Sequence, residues 1–203
     1  MKDIFFICIL LLLPLSGYNQ VITKYKPQEL YEQQGGMFDI DSLRTISIDF
    51  YNSDYHKILT DNWFANNNER LPAKIEFGNE IKFDSVAIRY KGNSTFYIPN
   101  SFGIPKLPWN IDINEYVSGQ KLMGAKKLKL ANTMFDPTFV KEILGYSIYQ
   151  KYLPAPEANF MRVEVQGDYM GLYINTETVD KLFLKKHFNE NDGVLFKCDP
   201  ITG

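Results

Sequence analysis

The chain has 203 residues, 45% of them hydrophobic, enough for a buried core and too many for a disordered polymer. Its 22 Lys and Arg stand against 24 Asp and Glu for a formal charge of −2, so no basic excess points to nucleic acid. Aromatic residues make up 15%, mostly 15 Phe and 13 Tyr, which suits broad β packing faces.

Residues 1–20 read as a secretory signal peptide, with a short charged start, an apolar run over residues 4–13, and small residues at Ser16 and Gly17. The run is shorter than the about 20 residues a spanning helix needs. No second hydrophobic segment follows, so the mature chain is expected to be exported without a transmembrane anchor, to the periplasm, cell surface or medium. Cys8 leaves with the signal, and Cys198 remains as the one cysteine of the mature chain, either a buried thiol or paired beyond Gly203. Residues 21–42 form a polar leader. Residues 43–203 form one domain, expected to be truncated at its C-terminus.

Residues 45–51, TISIDFY, alternate as a strand. Asn52, Ser53 and Asp54 offer caps for a helix with Tyr55, Ile58, Leu59 and Trp63 on one side. Residues 73–78 and 80–92 predict a hairpin around Gly78 and Asn79. Residues 93–108, with three prolines and Gly103, read as a long loop of the kind that often serves function. Strands follow at 109–113 and at 126–132, the latter with three lysines on its solvent side. Asp136-Pro137 predicts a helix start, and Val140, Ile143, Leu144, Ser147 and Ile148 an apolar face packed on a sheet.

Residues 160–177 predict a second hairpin, turning at Gln166, Gly167 and Asp168. Alternation puts Met161, Val163, Val165, Met170, Leu172 and Ile174 on one face, with Arg162, Glu164, Tyr169, Tyr173 and Glu177 on the other. Gly171 marks either a bulge or packed bend, or the close approach of a ligand or another backbone. A short helix over 179–188 and a strand over 194–197 close the chain. The order predicts an α+β fold: a mainly antiparallel sheet with packed helices.

His56 and His187 are isolated, no His or Cys cluster has metal-ligand spacing, and no GxSxG elbow occurs. Phosphate handling finds better material. Arg89, Lys91, Gly92, Asn93, Ser94 and Thr95 form a donor-rich strand-to-loop transition, with Lys106 beyond. The Walker pattern is missing, and on chemistry alone a plain polar turn after a strand is the better reading. Asn93-Ser94-Thr95 also matches a glycosylation sequon. Glu142 suits a solvated helix face, and Glu177 a cap for the helix that follows.

The ordered series IRYKGNST, KLPWNIDI, KKLKLAN, the segment from DPTFVKEIL to VDKLFL, and GVLFK resembles the CotH kinases, the spore coat protein H family. The resemblance implies an atypical kinase N-lobe and connector that uses ATP with Mg or Mn to phosphorylate serine on secreted or surface proteins. Arg89, Lys91, Asn93 and Ser94 would then belong to a phosphate-covering loop. Lys106 would hold nucleotide phosphates in an ion pair with Glu142, and Glu177 would lie near the base. Leu107 and Asn110 stand where the family often has lysines. The catalytic and metal-binding aspartates are expected beyond Gly203. The competing reading is a non-catalytic surface or adhesion module of the same fold. An enzyme acting on envelope polysaccharide is a remoter one, for which spacing nominates no carboxylate pair.

Overall fold

A computed structural model describes residues 25–31, 34–78 and 80–196; the signal segment and Cys198 lie outside the described residues. The elements in order are α1 (Pro27–Tyr31), β1 (Arg44–Phe50), α2 (Tyr55–Phe64), β2 (Leu71–Phe77), β3 (Ile81–Tyr90) and α3 (Ser94–Ser101). There follow β4 (Trp109–Asp112), β5 (Lys127–Ala131), α4 (Lys141–Tyr149), β6 (Ala158–Val165), β7 (Asp168–Thr176) and α5 (Lys181–Phe188).

The seven strands close into a barrel in the order β1-β2-β3-β4-β5-β7-β6. Every pairing is antiparallel except the seam, where β1 runs parallel to β6 with Ile46 opposite Val163 and Ile48 opposite Val165. Closure explains the alternation along each strand. One side chain in two points inward, and Ile46, Ile48, Ile88, Ile111, Leu128, Leu130 and Val163 are fully buried against one another. Closure also pairs both edges of the sheet and leaves no open strand.

This corrects the α+β expectation of a kinase-like N-lobe with packed helices. The helices add little to the core: α1 and α4 bury no residue fully, α2 buries Leu59 alone and α5 Phe183 alone. The strands bury their apolar faces on one another, so the sheet needs no helical layer.

Local differences have local causes. Residues 93–108 are not wholly loop, because α3 forms there with Phe96 and Pro99 buried. Asp136 does cap amides, accepting from Thr138 N at 3.0 Å and Lys141 N at 2.8 Å, but Phe139 takes φ 62° and delays α4 to Lys141. The face of α4 is also turned from expectation, with Val140, Leu144 and Ile148 exposed. Residues 194–196 form no strand and are exposed.

The second hairpin turns at Gln166 and Gly167, and its register slips beyond Val163. Glu164 pairs with Tyr169 and Val163 with Gly171, so Met170 is the extra residue of a bulge. After it the faces exchange. Tyr173 lies opposite Met161 inside the barrel and is fully buried, while Leu172 lies opposite Arg162 on the outer side.

Candidate functional site

The outer face of β3, β4 and β5 carries a row of polar groups. Arg89 lies opposite Asn110, and Asn110 opposite Lys129. Lys91 follows β3 directly, its N–H donating to the Pro108 carbonyl at 3.1 Å. Its ammonium is shifted below the usual lysine range, chiefly by burial; the field of Glu142 works against that shift and the field of Lys129 with it. Glu142 comes from α4 on the same outer side, where it accepts a hydrogen bond from the Thr176 hydroxyl. Pairing thus sets Arg89 and Lys129 beside Asn110, and Lys91 feels the charges of Lys129 and Glu142.

Past Lys91 the chain must turn sharply. Gly92 has φ 79°, and a Cβ there would sit 2.2 Å from Thr95 Oγ1, so any other residue would be strained and would displace the Thr95 side chain. Trp63 Nε1 fastens the turn by donating to the Gly92 carbonyl at 2.9 Å. Asn93 and Ser94 follow, exposed, at the start of α3; the Asn93 carbonyl accepts from Phe96 and Tyr97 at 3.0 and 2.8 Å. Both stand beside the polar row.

Lys106 lies elsewhere. Its stem crosses the inner side of β7, where a Cβ on Gly171 would meet Lys106 Cε at 3.4 Å. Its ammonium rests 4.4 Å from the Phe139 ring centre and 5.3 Å from that of Tyr173, with Thr133 Oγ1 at 3.5 Å. Burial alone lowers its pKa. Lys106 thus occupies the barrel end, and among the described residues no ion pair joins it to Glu142.

Glu177 stands just beyond β7 and closes the strand pair, with Glu177 N donating to the Glu157 carbonyl at 2.8 Å and Glu157 N donating to Glu177 Oε2 at 3.0 Å. Lys186 of α5 bridges Glu157 and Glu177. Burial raises the Glu177 carboxyl above the usual range, and the Lys186 charge opposes that shift. Beside it opens a cleft of about 250 Å³ lined by Met37, Phe38, Ala125, Lys127, Glu177 and Lys186. The Met37 and Asp39 carbonyls on its wall are held by Asn159 Nδ2 at 3.1 and 3.3 Å.

The CotH kinase protein family matches residues 88–202, more than half of the chain. The chain belongs to that family. Comparison with curated proteins finds no match. The CotH match spans every site residue expected from sequence: Arg89, Lys91, Asn93, Ser94, Lys106, Glu142 and Glu177. It begins after Arg70, which sequence reasoning passed over because an isolated arginine before a strand carries no motif. In the fold Arg70 reaches the polar row, donating from Nη1 and Nη2 to Asn110 Oδ1, both at 3.2 Å.

The CotH resemblance also implies ATP and a divalent metal. The cations of the outer row fit the phosphates of a nucleotide. Among the described residues no three of His, Cys, Asp and Glu come close enough to hold a metal ion.

Proposed function

We propose that this chain is the nucleotide-binding portion of an exported CotH-type protein kinase, which transfers phosphate from ATP to secreted or surface proteins. The observation that carries this reading is the outer row, where Arg89 and Lys91 sit half-buried beside the tight Gly92 turn with Glu142 close to Lys91. Half-buried cations at a glycine turn suit the phosphate tail, since low surrounding dielectric strengthens each contact to an anion. The field of Glu142 opposes the loss of charge that burial presses on Lys91. The base would enter the cleft at Glu177, whose volume of about 250 Å³ admits a flat heterocycle and little more.

In this assignment Lys91 takes the role that the resemblance gave to Lys106. Phosphoryl transfer itself also needs carboxylates for a base and for metal ions, and Glu142 and Glu177 are already engaged with Thr176 and Lys186. Thermal unfolding of the chain tests the reading: ATP is expected to raise the midpoint in a concentration-dependent way. An ATP series that leaves the midpoint unmoved would sink it.

A further inference from the structure

Arg70 and Arg89 approach Asn110 from two sides, and among the described residues neither forms an ion pair. Arg70 is held by acceptors alone: its Nη1 donates to the Ala87 carbonyl at 3.3 Å and the Asn110 carbonyl at 3.1 Å, and both its terminal nitrogens reach Asn110 Oδ1. Arg89 Nη1 donates to the Tyr90 carbonyl at 3.2 Å. A guanidinium has five N–H donors, so most of those on Arg89 remain for a ligand. Both groups are half-buried.

Two like charges held together out of water repel, and the Arg89 guanidinium is lowered first by burial and then by Arg70. Nearby acids relieve only one side. Asp112 and Glu115 act on Arg70, and Asp112 is already bound to Lys127 Nζ at 2.8 Å. No carboxylate acts on Arg89 in the same way. An oxyanion between the two forks would neutralise both, and a phosphoryl group offers the lone-pair geometry that guanidinium matches.

We propose that Arg70 and Arg89 form a two-guanidinium clamp for a phosphoryl group, with the Asn110 side chain as the strut that sets Arg70. Arg70 lies outside the segment matched by the family and Arg89 inside it. A phosphate arrives either free or as part of a nucleotide tail, and only the second case rests on the nucleotide reading above.

Calorimetric titration of the whole chain with pyrophosphate, ATP and adenosine separates the cases. Pyrophosphate and ATP are expected to bind, to weaken about tenfold or more in Arg70→Gln, and to weaken in Arg70→Lys, which keeps the charge and loses the fork. Adenosine is expected to be indifferent to both changes. If Arg70→Gln does not fold, Arg70→Lys decides. Unchanged affinities in the variants overturn the clamp and leave the nucleotide reading standing. Pyrophosphate binding that depends on Arg70, with no ATP binding, overturns the nucleotide reading and keeps the clamp. A wild-type chain that binds neither overturns both.

Discussion

Gly171 is where a single residue controls the site's surroundings. It combines φ 114° with the Lys106 stem at 3.4 Å from any added Cβ. Gly171→Ala is expected to destabilise the chain by about 1–3 kcal/mol in denaturant unfolding, since a side chain at that positive φ is strained. The sequence posed a bulge or packed bend against the close approach of a ligand or another backbone; a bulge occurs beside it at Met170, and what lies against Gly171 is the side chain of Lys106. The identity of the approaching group was illegible, because 65 residues of chain separate the two positions. His187 makes a second test. It sits among Tyr31, Phe183 and Phe188 beside Lys186, and burial first, then that charge, lowers it to about 4. A histidine depressed in the fold binds fewer protons than when unfolded, so it stabilises above the unfolded value of about 6.5. Stability is expected to fall between pH 6.5 and 4, and His187→Phe to flatten that slope in unfolding midpoints.

Among the elements, α5 was legible as a helix, though Asp180 rather than Glu177 caps it and of its expected apolar side only Phe183 is buried, whereas α3 falls where the sequence reads as loop and the rotation of α4 was not foreseen. Asp180 caps α5, accepting from Leu182 N at 2.8 Å and Phe183 N at 3.3 Å, and it fixes the helix that brings Lys186 to Glu177. Asp180→Ala is expected to cost about 1 kcal/mol in denaturant unfolding. The start of α4 misled because Asp136 bonds amides across a left-handed Phe139, using the same cap chemistry one turn before the helix. Helical spacing located α4 and left its rotation undecided: Glu142, Ile143 and Tyr146 face the sheet more than Leu144 and Ile148 do. The hairpin strands were legible as strands, whereas one bulged residue exchanged the faces of Tyr173 and Leu172.

For the whole molecule, closure decides which cations meet. Sequence order cannot announce that β1 pairs with β6 or that β5 pairs with β7, and those pairings convert the expected helix-packed antiparallel sheet into a barrel with distinct inner and outer faces. The division assigns the lysines. Lys91 falls with Arg89, Arg70 and Glu142 on the outer row, and Lys106 with Phe139 and Tyr173 at the barrel end. The motif residues were legible because they follow one another along the chain. Arg70 was not, because its place depends on the β3–β4 pairing that sets Asn110 beside Arg89. The central claim is that nucleotide phosphates lie on the outer row. Calorimetric titration of ATP into Lys91→Ala and Lys106→Ala tests it most directly: the account predicts a loss of about tenfold or more for Lys91→Ala and near wild-type affinity for Lys106→Ala. The reverse order, with Lys106→Ala abolishing binding and Lys91→Ala silent, would contradict it.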